Sequence, residues 1–173
     1  MGTFSKVLFP ALRVGYLVLP PPLVEPALAL RRLIDVHPPL LEQAVLAQFM
    51  AEGHLTRHLR RMRALYAERH GALLEAARGL PLEIQSPAAG MYGVGWLPDG
   101  MDEKALIRSA AAQGLALTAV SHFSLEPMAR QGVVLGFSEH TVADIQAGAE
   151  RLAAALRSLV RPGRRTKVVP KTE

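Results

Sequence analysis

Gly2-Thr3-Phe4-Ser5-Lys6-Val7-Leu8-Phe9-Pro10-Ala11-Leu12-Arg13-Val14-Gly15-Tyr16 sets one lysine among small hydroxyl residues, with an arginine seven positions later and an apolar run directly after it. A lysine that captures an aldehyde cofactor beside a bound phosphate needs this layout. The amine attacks only when neutral, and at its ordinary pKa of about 10.4 little of it is neutral near pH 7. Burial or a neighbouring cation disfavours the ammonium form and activates the nitrogen. Arg13 supplies such a cation, and its planar fork suits bidentate contact with a phosphate. Thr3 and Ser5 add hydroxyl donors for the same anion. Pro10 and Gly15 punctuate the stretch, and Val14–Pro20 reads as a buried strand. An isolated Ser-Lys pair would read as an exposed loop lysine. The full spacing favours the cofactor lysine.

The rest of the chain bounds what that lysine can belong to. Its 173 residues suffice for one sizeable core, or for a small domain with attached helices. Half of them are apolar and aromatics are scarce, a globular rather than disordered composition. There is no cysteine, which excludes disulfides and thiolate metal sites and fits a reducing compartment. No apolar run approaches the roughly 18 residues of a membrane span, and the N-terminus lacks the pattern of a signal peptide. The net charge of +5 lies partly in Arg161–Lys167, read as a solvated, disordered basic tail, so it is weak evidence for an acidic partner.

Pro20-Pro21-Pro22 ends the first strand, and a short helix is expected over Leu23–Ile34, with Pro26 tolerated only in its first turn. His37-Pro38-Pro39 breaks the chain again. A long helical region follows from Leu40 to about Arg78, with possible interruptions at Gly53 and Gly71. Leu55, Leu59, Met62 and Tyr66 share one face of it, opposite Arg57, Arg60 and Arg61. No helix and tight turn precede this basic face to complete a DNA-reading pair, so a packed helix or dimer contact explains it better. Short strands are expected at Leu82–Gln85, Tyr92–Leu97, Leu115–Val120 and Val133–Phe137. Met101–Gln113 reads as a helix stopped by Gly114. Thr141 and Asp144 form a near-capping box ahead of a last helix whose apolar face runs through Val142, Ile145, Ala149, Leu152, Leu156 and Leu159. The pattern from Leu80 onward is an antiparallel-leaning sheet covered by helices, an α+β layer.

The lysine stretch closely resembles the cofactor-lysine region of class I aminotransferase-fold proteins that use pyridoxal 5'-phosphate. It is most similar to the MocR branch, in which a GntR-type winged helix-turn-helix precedes an aminotransferase-like domain. Gly53-His54-Leu55-Thr56-Arg57-His58-Leu59-Arg60-Arg61-Met62-Arg63-Ala64-Leu65-Tyr66 supports the same branch. The likeness continues through Pro87-Ala88-Ala89-Gly90-Met91 and Val134-Leu135-Gly136-Phe137-Ser138, to about Val160. The resemblance implies the C-terminal portion of an α/β fold type I transferase with an α+β small domain. Residues 1–39 would be a remnant of the large cofactor-binding domain, with one orphan strand of its sheet. Residues 40–78 would be linking helices, 79–160 the small domain, and 161–173 the tail. Lys6 would be the catalytic, cofactor-binding lysine. Arg13 would hold the cofactor phosphate with Thr3 or Ser5, and no metal is implied.

The sequence departs from an active transaminase in two places. The arginine that grips the substrate carboxylate in ordinary class I enzymes would fall at Val134, and valine cannot pair with a carboxylate. MocR-type proteins carry theirs in a segment resembling Val120-Ser121-His122-Phe123, which makes His122 the candidate substrate-binding residue, a weaker and pH-dependent partner. Arg130 is a second candidate by proximity in sequence. The family's aspartate for the pyridinium nitrogen and tyrosine for the phenolic oxygen lie upstream of the lysine, where this sequence has only Met1–Ser5. The expectation is therefore the C-terminal segment of a longer cytoplasmic regulator, inactive alone, with Met1 an internal methionine. Such a regulator would be a homodimer that senses pyridoxal phosphate or an amino acid or amine. It would touch DNA only through an N-terminal winged helix-turn-helix and would have no membrane contact. Two alternatives stand beside it. One is the same segment of an aminotransferase, with Lys6 also acting as general base. The other is a basic helical binding module without cofactor.

Overall fold

Prolines and glycines divide this chain where its elements divide. The computed structural model describes residues 1–85 and 90–159. The element order is β1 (Gly2–Thr3), a 3-10 helix (Pro10–Leu12), β2 (Gly15–Tyr16), α1 (Pro21–Asp35), α2 (Leu40–Ala51), α3 (His54–Ala76), β3 (Glu83–Gln85) and β4 (Tyr92–Trp96). Then come α4 (Glu103–Ala112), β5 (Thr118–Ala119), a 3-10 helix (Val120–Phe123), β6 (Gly132–Gly136) and α5 (Val142–Leu159). Two compact units result, Met1–Arg63 and a second that begins at Ala64. The expected basic tail, and Pro87–Ala89 of the family-like stretch, lie outside the described residues.

In the first unit the expected buried strand is short and exposed. β2 pairs antiparallel with β1 over two residues, Gly2 with Tyr16 and Thr3 with Gly15, so it is not an orphan. The ladder stops there, and Leu17 and Val18 beyond it are 63% and 80% exposed. Two glycines permit the hairpin. A Cβ on Gly15 would stand 2.9 Å from the Gly2 carbonyl oxygen, and one on Gly2 would meet the Tyr16 ring at 2.6 Å. α1 begins two residues earlier than expected, with Pro21 and Pro22 in its first positions. Pro26 therefore lies inside the helix and removes one backbone bond there. Gly53, at φ 73°, does interrupt the long helical region, whereas α3 runs unbroken through Gly71.

The second unit carries the core. β3, β4, β6 and β5 lie in that order in an antiparallel sheet, with Val94 and Thr118 flanking Val134. Val133 and Leu135 of β6 face Leu106 and Ala110 of α4 and Ile145, Leu152, Ala155 and Leu156 of α5 in one buried cluster. Val134 alternates to the opposite face, as strand geometry requires. α4 is shorter than expected because Asp102 caps it, accepting from the Lys104 and Ala105 N–H groups at 3.1 Å each. At its other end Leu115 N–H reaches the Ala110 carbonyl and Gly114 N–H that of Ala111, with Gly114 at φ 71°. This Schellman closure uses Leu115, so β5 begins only at Thr118. The near-capping box forms: Asp144 N–H donates to Thr141 Oγ1 (3.2 Å), and Thr141 Oγ1 and N–H donate to Asp144 Oδ2 (2.7 and 3.1 Å). Among the described residues no helix is long and apolar enough to cross a membrane.

Two outcomes follow from this packing. Leu106 is 0% exposed, so Leu106→Ala leaves a cavity and lowers unfolding stability by about 3 kcal/mol in urea titrations. The Thr141 hydrogen bonds hold the Asp144 carboxyl below its ordinary range. A lowered folded-state pKa gives stability that is present above the unfolded value and is lost as pH falls through the folded one. The native chain therefore loses the contribution of this cap below about pH 4. Asp144→Asn shows a flatter melting temperature over the same acid range.

Candidate functional site

The stretch that carries Lys6 folds into a closed loop braced by its own backbone. Phe4 N–H donates to the Val14 carbonyl (3.1 Å), closing the loop at its base. The Phe4 carbonyl accepts from Val7 N–H (3.2 Å) and Leu8 N–H (2.8 Å), which winds a tight turn around Lys6. Thr3 Oγ1 accepts from Ser5 N–H (3.1 Å) and donates to Ser5 Oγ (3.0 Å). The two expected hydroxyl partners are thus side by side at the entry to the turn. Lys6 is exposed, and no carboxylate pairs with it among the described residues.

Arg13 ends the 3-10 helix at φ 50°, ψ 28°, and its N–H caps the Pro10 carbonyl. A left-handed conformation is costly for a residue with a Cβ and is kept where the surroundings enforce it. Its side chain lines a cleft of about 370 Å³ together with Arg31, Arg32 and His37. Arg31 is paired with Asp35 at 2.6 Å, whereas Arg13 has no ion pair among the described residues. By their chemistry an unpaired amine, two adjacent hydroxyls and an unpaired guanidinium suit the aldehyde and phosphate groups of pyridoxal phosphate, although Lys6, Thr3 and Ser5 do not line the cleft that Arg13 lines. Among the described residues of the first unit, Asp35 is bound to Arg31 and Glu52 to Gln48 and His54, and neither Glu25 of α1 nor Glu42 of α2 lines the cleft beside Arg13, so no carboxylate is placed there for a pyridinium nitrogen. Gln48 and His54 hold the Glu52 carboxyl below its ordinary range. The fit is to the aldehyde and phosphate groups of the cofactor and not to its ring nitrogen.

In the second unit, His122 is exposed in the 3-10 helix Val120–Phe123, edge-on to Phe123 at 5.4 Å. Arg130 is committed elsewhere. Its guanidinium bonds Glu83 at 2.6 Å and lies 5.1 Å from the centre of the Trp96 ring, and it holds the Glu83 carboxyl below its ordinary range. Trp96 in turn donates to Gln85 Oε1 at 2.8 Å. No cluster of three or more His, Cys, Asp or Glu able to hold a metal ion occurs among the described residues.

Two residues that the sequence did not single out brace these segments. His58 Nε2 reaches the Val7 carbonyl at 2.8 Å, directly beside Lys6. The clue was its place between Leu55 and Met62, at helical spacing on the apolar face. Glu103 is 4% exposed and accepts from Gly132 N–H (3.1 Å) and from the Ser121 hydroxyl, next to His122. As an acid in the first turn of a helix it looked ordinary, and only tertiary packing buries it.

The model of the family described as aminotransferase class I and II matches residues 1–152. The chain belongs to that family. It is 35% identical, over 94% of its own length and 34% of the other's, to the probable rhizopine catabolism regulatory protein MocR of Rhizobium meliloti. It is 31% identical, over 92% of itself and 41% of the other, to 2-aminoadipate transaminase of Thermus thermophilus. The alpha-aminoadipate aminotransferase LysN of Thermus thermophilus, solved with N-(5'-phosphopyridoxyl)-L-leucine, superposes with a TM-score of 0.78 at 28% identity, covering 91% of this chain and 41% of that one. The chain thus spans one third to two fifths of the length of the curated relatives it matches. Pyridoxal phosphate is the cofactor of this family, and the fold is its type I architecture with an α+β layer.

Position 13 separates stability from function. Arg13→Gly removes a left-handed penalty of about 1 kcal/mol, so its melting temperature is unchanged or higher. If Arg13 holds the cofactor phosphate, retention of pyridoxal phosphate by this variant, followed by absorbance after gel filtration, falls at least about tenfold with the lost guanidinium.

Proposed function

We propose that this chain is the lysine-bearing part of an aminotransferase-like domain belonging to a MocR-type regulator that senses pyridoxal phosphate or an amino compound. The observation that carries the reading is the braced turn. It presents Lys6 without an acidic partner, next in the chain to the Ser5 that pairs with Thr3, in a loop ended by a strained and unpaired Arg13. When bound, the cofactor supplies an electron sink for the bonds around an amine's α-carbon. In this reading Lys6 would hold the cofactor through its aldehyde group, and Arg13 with Thr3 or Ser5 would hold its phosphate. His122 is the proposed partner for an amino-acid carboxylate, since Arg130 is held by Glu83. In the whole protein, two copies would pair, and DNA contact would belong to a winged helix-turn-helix module.

A second reading, the same part of an aminotransferase acting on amino acids, is supported by the Thermus transaminase at 31% identity. The regulator is favoured by the 35% identity to MocR and by Val134, where β6 offers no cation for a substrate carboxylate. A basic helical module without cofactor finds little support, because the Arg57, Arg60 and Arg61 face is the exposed side of a helix whose Leu55, Leu59 and Met62 are half-buried.

Borohydride reduction of the chain with excess pyridoxal phosphate, followed by peptide mapping, is expected to label Lys6, and Lys6→Ala to abolish that label. Labelling at other lysines alone would refute the cofactor role. We expect no amino-acid turnover by this chain at saturating cofactor, and measurable turnover would favour the enzyme. The coding sequence upstream of the Met1 codon separates the two further: an in-frame winged helix supports the regulator, and a large-domain sheet alone supports the enzyme.

A further inference from the structure

The lysine turn is held from outside by one side chain that the proposed chemistry does not use. His58 Nε2 lies 2.8 Å from the Val7 carbonyl oxygen, across 51 residues of sequence. A carbonyl only accepts, so Nε2 carries the hydrogen and His58 is the donor. His58 is half-buried and sits between Leu55 and Met62 on the inward face of α3. Val7 is therefore held at both of its peptide groups: its N–H is bound to the Phe4 carbonyl and its C=O to the imidazole. With the following Leu8 N–H also bound to Phe4, the backbone on the C-terminal side of Lys6 is restrained by three hydrogen bonds.

We propose that His58 is a positioning residue for Lys6. It clamps the Val7 carbonyl and so fixes the direction in which the amine leaves the turn. The role toward the cofactor rests on the function proposed above, whereas the clamp rests on geometry alone. Other histidines of the first unit do not share it: His54 is bound to Glu52 at 2.9 Å and stacks on Phe49. Glutamine places an amide N–H close to the position of imidazole Nε2 and keeps the donor, whereas phenylalanine keeps the ring and loses it.

The experiment compares the full 173-residue chain with His58→Phe, His58→Gln and, as a control on the same helix, His54→Phe. The first readout needs no cofactor. Trypsin cuts the Lys6–Val7 bond, and its rate there is taken relative to cutting at Arg31 in α1, which cancels general loosening of the unit. Such cutting follows the population of the opened turn. Loss of one net hydrogen bond predicts about a fivefold rise in this ratio for His58→Phe. The second readout is the rate of borohydride-trapped labelling of Lys6 by pyridoxal phosphate, which falls about fivefold in the same variant. His58→Gln and His54→Phe stay within about twofold of the native chain in both. An unchanged cleavage ratio in His58→Phe overturns the clamp. A raised ratio with unchanged labelling overturns its role in aiming Lys6. If the native chain takes no label at Lys6, the proposed function falls, and the cleavage ratio alone upholds or overturns the clamp.

Discussion

One buried carboxylate holds the second unit in register. Glu103 is the buried charged residue among those described, and a charge so placed is tolerated only when hydrogen-bonded. Its partners, Gly132 N–H and the Ser121 hydroxyl, come from the start of β6 and from the 3-10 helix that bears His122. Its own N–H donates to Gln131 Oε1 at 2.8 Å. Helix, strand and 3-10 segment therefore meet at one side chain. The space around β6 is equally constrained, since a Cβ on Gly132 would stand 2.9 Å from the Trp96 ring and 3.0 Å from the Gly95 carbonyl oxygen. Removing the carboxylate would leave Gly132 N–H without that acceptor at the edge of the core, the costly case for a buried polar group.

The elements of the second unit were legible because their signals are local. Gly114 marks the end of α4 by capping chemistry, and the spacing of Ile145, Leu152 and Leu156 marks the inner face of α5, whereas the Asp102 cap went unread and α4 starts two residues later than expected. Boundaries shifted where one residue served two elements, as Leu115 does in closing α4 and thereby delaying β5. The first unit was harder to read. Val14–Pro20 is an apolar run of the kind that forms buried strands, but pairing needs a partner. β1 provides one for only two residues.

The candidate site divides along the same line. Thr3, Ser5, Lys6 and Arg13 lie close in sequence, and the chain closes them into one loop through the Phe4–Val14 bond. Their grouping was readable because the loop is local. His58 and Glu103 act at distances of 51 and 18 to 29 residues, and no period or cap betrays such contacts. Arg130 illustrates the converse. Nearness to His122 in sequence suggested a shared task, yet cross-strand geometry gives it to Glu83 and Trp96.

The exposed helices of the first unit set how long this chain survives in a cell. Leu46 is the buried residue that this unit contributes, while Leu33 and Ile34 stand 83% and 75% exposed. A segment with so little core opens locally far more readily than a packed one. Exposed apolar side chains such as Leu33 and Ile34 are what chaperones and proteases act on. Abundance would then follow how often these helices open rather than the stability of the α+β core, and a measured lifetime would report the first unit before it reported the second.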